Sequence, residues 1–318
     1  MARAYTGAVQ STRNRLDELV STLEELEANG EDPTEYMIRN RERLLRNIDD
    51  YERELKRWSK EGVGITSTAQ RDGMRIAIRA IPSLVEAVSA KAPTGAEFPA
   101  VGINPARIES LVGLASDGSP LQALFDEIGT GLSEELRDAY LNGAAQGLNP
   151  LAVAQLMRSV VSDMGRYRAE TIARTEMHRA SREAHRRAYH DSSVVKGYTR
   201  MCAQDSRVCL ACLALTGTRY STAEIMPSHP NCRCVMLPDL VSWAEITGDP
   251  TLEEEPPLPI GPDDIMRGLT EPEIRHIFGP ARYEQWKEGA ELREFITVGN
   301  HPKWGPTLGI RSLSEPVQ

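Results

Sequence analysis

The stretch GRYRAETIARTEMHRASREAHRRAYHDS, residues 165–192, sets the fold class. Ala169, Ala173, Met177, Ala180, Ala184 and Ala188 fall three or four positions apart, which places them along one side of a helix. A stripe of such small side chains lets a neighbouring element approach the backbone closely. The remaining sides carry Arg166, Arg168, Arg174, Arg179, Arg182, Arg186 and Arg187 against Glu170, Glu176, Glu183 and Asp191, so this helix is locally basic. A basic face can meet phosphate or an acidic partner; the commoner arrangement is a solvated face with Glu–Arg pairs along it. Arg174, Arg179, Arg182, Arg186 and Arg187 are the candidates for phosphate or partner contact.

The pattern changes directly after the helix. SVVKGYTRMCA, residues 193–203, has the β-branched and aromatic content of a strand. It leads into CLAC (209–212) and SHPNCRC (228–234), so helix, strand and a Cys/His cluster follow one another without a break. Zinc takes four soft or borderline ligands in a tetrahedron, and short chelating loops supply two from each of two places. Cys209 and Cys212 form one C-x-x-C pair. His229 and Cys232 repeat the two-residue gap after sixteen intervening residues, and Cys234 stands beside them as a further candidate. Pro227 and Pro230 stiffen the second loop, which reduces the entropy lost on ordering it. The expectation is one structural Zn²⁺ held by Cys209, Cys212, His229 and either Cys232 or Cys234. The alternative is a set of free buried thiols beside an incidental histidine. Disulfides are the weaker reading, because the five cysteines are odd in number and crowd into 33 residues, whereas secreted scaffolds spread even numbers along a short chain.

Composition agrees with a mainly helical protein. The 318 residues allow two or three domains with a sizeable core; 40 % are apolar and only 5 % aromatic, with Ala, Leu, Glu and Arg prominent. A net charge of -9 argues against nucleic-acid binding by the chain as a whole. No run of 18 apolar residues occurs and the N-terminal stretch lacks the apolar core of a signal peptide, so the chain is expected to remain in the cytoplasm in which it is made.

Working outward, the N-terminal side reads as a helical hairpin. Leu16, Leu19, Leu23 and Leu26 draw one stripe, NGEDPTE breaks it, and Met37, Leu44, Leu45, Ile48, Leu55 and Trp58 mark a second helix ending near KEGVG. Two such stripes either pack against each other or leave an apolar edge for a partner's helices. The expected organisation is an N-terminal hairpin region over 1–92, a Pro/Gly-rich linker at 93–105 and a module with the Cys/His cluster over 106–240. An acidic, proline-rich linker at 241–264 and a C-terminal tail region, 265–318, complete it. Within the tail, TEPEIRHIFGPARYEQWKEG suggests a helical pair and FITVGNHPKWGPTLGIRSLSE extended structure crossing a surface. The fold class is thus mainly α with a small α+β module: N-terminal helical hairpin, helical middle, a zinc-knuckle-like segment packed on a short sheet, and an extended tail.

Three segments in order, IARTEMHRASREA (172–184), DSRVCLACLALTGTRY (205–220) and HPNCRCVMLPDL (229–240), resemble the phage Mu F-like head morphogenesis family, the minor capsid or minor head proteins of tailed bacteriophages. The closing NHPKWGPTLGIRSL is similar to the tails of such proteins, more loosely. The resemblance extends over roughly 130–240. It implies a virion protein packaged in small copy number inside the prohead near the portal, assisting head assembly and DNA packaging or delivery. Its partners would be the portal protein and other prohead components, its location the host cytoplasm during assembly and then the capsid interior. Weak, non-specific DNA contact through the arginine face would be added to these.

An enzyme is the competing class. Zn²⁺ with an open position activates water, and Glu176, His178 or His185 could then serve as general base in a hydrolase or nuclease-like reaction. A shell closed by Cys and His side chains argues against this, because catalytic zinc keeps a water in the fourth place. The sequence therefore predicts no catalytic residues, and a structural metal.

Overall fold

A computed structural model describes residues 2–90, 106, 110–114, 120–146, 148–161, 164–252, 260–301 and 305–314. The linker expected at 93–105 and much of the acidic linker, 253–259, lie outside the described residues. Among the described residues there are eleven α-helices and two small antiparallel sheets, the mainly helical architecture with a small sheet that the sequence predicts. The chain divides into two compact units, one formed by 1–68, 113–115 and 119–174, the other by 69–112, 116–118 and 175–318.

The first unit is helical. It holds α1 (Ala2–Ala28), α2 (Pro33–Arg39), the first part of α3 (Arg41–Ser89), α4 (Leu121–Ala145), α5 (Pro150–Val160) and the start of α6 (Met164–His190). Gly30, at φ 75°, lets the chain leave α1 in the left-handed conformation, and Asp32 accepts the Thr34 N–H at 2.8 Å to start α2. Asn149 caps α5 by accepting the Ala152 N–H at 2.7 Å, with Pro150 in the first turn where no N–H is needed. Leu16, Leu19, Leu23, Leu44, Ile48, Leu55 and Trp58 are all buried, together with Leu121, Phe125, Leu136 and Met157 from the later helices. This corrects the expectation of an apolar edge left for a partner: the two leucine stripes are core, not docking surface. Trp58 meets Phe125 edge to face at 6.0 Å.

α3 also runs on past KEGVG, where the sequence suggests an end. Gly62 costs helix propensity, about 1 kcal/mol relative to Ala, but its bare Cα is needed: an added Cβ would come within 2.8 Å of the Phe125 ring. Packing decides against termination.

The second unit takes in the rest of α3 and of α6, followed by β1 (Val195–Met201), α7 (Leu210–Ala214), β2 (Arg219–Ser221), β3 (Val235–Leu240) and α8 (Trp243–Thr247). Then come α9 (Pro262–Met266), α10 (Glu271–Phe278), α11 (Pro280–Lys287), β4 (Ile296–His301) and β5 (Gly305–Ile310). The first sheet has the order β2-β1-β3, all antiparallel, with Tyr198 opposite both Tyr220 and Pro238. Gly197 is required there, since a Cβ would lie 2.7 Å from the Tyr220 carbonyl. The small-residue stripe of α6 behaves as read: Ala180 and Ala184 are buried against Met74 of α3, and Ala188 enters the main core with Tyr189, Val194, Val195 and Tyr198.

The C-terminal residues do more than cross a surface. β4 and β5 form a hairpin, and Ile265, Ile277, Phe278, Tyr283, Phe295 and Leu308 join the same core as Cys212, Cys232 and Cys234. Short helices here are locally fixed, α8 by the Ser242–Glu245 capping box and Gly248 in the left-handed conformation.

Candidate metal centre

Three elements hold the two cluster loops. The first loop ends at α7, where Cys209 occupies the N-cap position and its Sγ accepts the Cys212 N–H at 3.3 Å. The second loop is tied to α6, because Thr175 Oγ1 accepts the Asn231 N–H at 3.0 Å while Asn231 turns the chain at φ 60°. Arg182, also on α6, donates from Nη1 to the carbonyls of Cys232 at 3.1 Å and Cys234 at 3.4 Å. On the opposite flank, Ser228 pairs with β5 through Ser228 N–H to Pro306 O (3.2 Å) and Leu308 N–H to Ser228 O (3.1 Å). Finally, Arg233 grips Asp205 through two bonds of 2.7 Å, which links the two loops directly. That pairing holds the Asp205 carboxyl well below the usual carboxylate range.

The ligand atoms converge. His229 Nε2 lies 3.1 Å from Cys209 Sγ and 3.0 Å from Cys212 Sγ, and Cys212 Sγ lies 3.8 Å from Cys232 Sγ. Cys209, Cys212 and His229 form one group, and Cys212, Cys232 and Cys234 a second, with the atoms of each within 4.8 Å of one another. These groups could hold a metal ion. Tetrahedral zinc with bonds of about 2.3 Å to sulfur sets sulfur pairs about 3.8 Å apart, the spacing of Cys212 and Cys232. His229 Nδ1–H donates to the Pro230 carbonyl at 2.7 Å, which turns Nε2 toward the thiols, the nitrogen that a metal would take once its proton is displaced.

Charge is arranged around the same point. The Cys209 thiol falls to about 4, through its hydrogen bond with Cys212 and the neighbouring His229. Burial opposes a charge on His229, yet the contacts with Cys209 and Cys232 prevail and raise it to about 10. All five cysteines are free thiols, and Cys202, whose N–H donates to Thr216 Oγ1 at 2.9 Å, lies outside both groups.

Arg200 is absent from the sequence reading, and the structure puts it at the centre. It sits on β1, wholly buried, with Nη1 donating to Pro227 O at 2.6 Å and Nη2 3.2 Å from Cys234 Sγ, 3.3 Å from Cys212 Sγ and 3.8 Å from Cys232 Sγ. An arginine flanked by residues that favour strands gives no local signal of such a role. Thr175, Asp205 and Arg233 were inside the resembling segments, but their pairings join positions far apart in sequence.

The arginine face is largely consumed within the protein. Arg182 is 8 % exposed. Arg179 pairs with the buried Glu176 at 3.6 Å, while Arg186 and Arg187 both hold Glu183, at 2.7 and 2.8 Å. Arg186 also donates to Thr222 O. Of the five candidates only Arg174, paired with Glu170 at 3.0 Å, has a mostly exposed side chain. The general-base candidates fare similarly: Glu176 is buried, and burial lowers the proton affinity of both His178 and His185.

Fold and site together define a helical protein whose C-terminal α+β unit encloses a Cys/His cluster able to take a metal. Residues 134–237, from within α4 to within β3, match the family model described as Phage Mu protein F like protein, which supports the phage Mu F-like head morphogenesis family for this segment. That family suggests a phage head morphogenesis protein. No curated protein and no solved structure matches the chain. No described helix is long and apolar enough to cross a membrane.

Proposed function

We propose that the chain is a minor capsid protein of a tailed bacteriophage, carried inside the prohead near the portal and aiding head assembly and DNA packaging or delivery. The observation that carries this is the family match over 134–237, the segment that also contains every candidate metal ligand. The metal, Zn²⁺ held by Cys209, Cys212 and His229 with Cys232 or Cys234, is structural in this reading. It fastens two irregular loops that contain only a five-residue helix and a three-residue strand. The portal protein and other prohead components are the proposed partners. Contact with DNA draws little support, since most of the arginine face is engaged inside the protein. An enzyme draws little, because Cys and His side chains suffice to close the shell and Glu176 is buried beside Arg179. The proposal is tested by quantifying the chain in purified proheads and virions of the phage that encodes it and by deleting its gene. Heads of normal composition and yield without it would refute the role.

A further inference from the structure

A guanidinium in a protein interior is costly unless opposite charge or several hydrogen bonds surround it. Arg200 is wholly buried, and among the described residues no carboxylate lies within 4.0 Å of it. Its polar neighbours are the Pro227 carbonyl, three sulfurs and the Tyr220 side chain. Those sulfurs are not equivalent. Cys212 Sγ lies 3.0 Å from His229 Nε2 and 3.8 Å from Cys232 Sγ, the second at the spacing of a shared tetrahedral edge, while Cys232 and Cys234 both lie within 4.8 Å of Cys212. Cys234 instead makes the shortest contact with Arg200, at 3.2 Å.

Resting on the metal-centre reading above, we propose that the metal shell is Cys209, Cys212, His229 and Cys232, that Cys234 stays outside it, and that Arg200 is the positioning residue that keeps it there. Three thiolates and a neutral imidazole on a dication leave one net negative charge, which the Arg200 guanidinium meets directly at the sulfurs, while Arg182 is engaged with the Cys232 and Cys234 carbonyls. The hydrogen bonds from Nη2 run to sulfurs of the shell and to Cys234 together, so the guanidinium sets their spacing as well as their charge.

The test uses the full chain loaded with Co²⁺, whose thiolate charge-transfer absorption counts bound sulfurs, alongside Zn²⁺ affinity from chelator competition. C234S should retain one metal per chain and unchanged charge-transfer intensity. C232S should lose about a third of that intensity and bind at least tenfold more weakly. The opposite pattern, or equal losses in both, overturns the ligand assignment. R200M should weaken Zn²⁺ binding roughly tenfold, and R200K, which keeps the charge, should recover most of it. Because R200M removes a buried anchor and can fail to fold, R200K alone is also decisive: folded R200K with affinity as poor as metal-binding variants lacking a ligand refutes the charge role. A wild-type chain that takes up no stoichiometric metal refutes the metal centre itself, an outcome distinct from any pattern among the variants.

Discussion

Replacing Thr175 by valine tests whether the basic helix exists in this place to hold the metal loop. The side chain is 6 % exposed and its Oγ1 is the acceptor for the Asn231 N–H at 3.0 Å, at a residue already in the left-handed conformation. Valine keeps the shape and removes the acceptor, so a largely buried N–H loses its partner. Such an orphan costs about 1–3 kcal/mol, and for a unit of this size each kcal/mol moves the midpoint by about 2–4 °C, giving a fall of roughly 2–12 °C. T175S keeps the acceptor and loses one methyl, a burial loss of about 1 kcal/mol, so melting alone separates the two poorly. Metal affinity separates them well. If the bond sets the loop that presents His229 and Cys232, T175V binds Zn²⁺ more weakly than wild type and T175S does not. Circular dichroism melts of the full chain with and without metal, plus chelator competition, supply both readings. T175V with a stability within about 0.5 kcal/mol of wild type and the same Zn²⁺ affinity would refute the coupling of helix to loop.

Removing metal with a chelator should lower the melting temperature of the second unit, since a ligand present at a thousand times its Kd stabilises the folded form by about 4 kcal/mol; an unchanged melt after verified metal loss contradicts a structural role. Leu23→Ala, at a fully buried position, should cost about 2–5 kcal/mol, and deletion of 1–62 should unfold the first unit instead of merely stripping a docking arm; a truncated chain with an intact helical signal in that unit would restore the docking idea. Asp205→Asn should destabilise modestly, by at most about 1 kcal/mol because the site is partly exposed. The sign follows from the lowered carboxyl: the folded value lies below the unfolded value of about 3.9, so the stabilisation is present above that pH and vanishes as pH falls toward the folded value. Urea melts at pH 7 and near pH 2 check it, the wild-type advantage shrinking at the acid end, and an advantage just as large near pH 2 as at pH 7 counts against the pairing. Gly197→Ala should force β1 and β2 apart, and a variant as stable as wild type would show that the 2.7 Å approach relaxes freely.

How much of this was legible depends on whether the decisive contact is local. The alanine stripe of 165–192 and the leucine stripes near the N-terminus are periodic within one helix, so the burial of Ala180, Ala184, Leu19 and Ile48 follows from spacing. The paired two-residue gaps that bring Cys209, Cys212 and His229 together are local too. What covers a stripe is not local. Nothing near Leu16 tells that Leu136 of α4 and Met157 of α5 will stand beside it where an external partner was expected, and nothing near Gly62 announces the Phe125 ring. The arginines show the same limit in another form: spacing shows which side of the helix they occupy, while Arg182 becomes interior only because the Cys232 and Cys234 carbonyls arrive from 50 and 52 residues away. Arg200 is the extreme case, as its partners come from three separate segments.

The co-occurrence of a basic helix and a cysteine cluster then has a physical reason that neither half supplies. Arg182 and Arg200 are both buried, and among the described residues neither has a carboxylate within 4.0 Å, although desolvation penalises each charge by several kcal/mol. Neutral thiols would be poor compensation, being weak acceptors with no charge. Thiolates held on a divalent metal retain negative sulfur near neutral pH without competing for a proton, and the backbone carbonyls of the same loop complete the donors' needs. A bound metal and the arginines would therefore make each other tolerable in one small core: without the cation, repelling sulfurs or neutral thiols would face two guanidinium groups, and without the Arg200 guanidinium the negative shell would lose the cation that contacts its sulfurs. On this argument Arg182 and Arg200 serve the interior of the unit, and a surface for the proposed partners has to be sought in side chains that the cluster does not use.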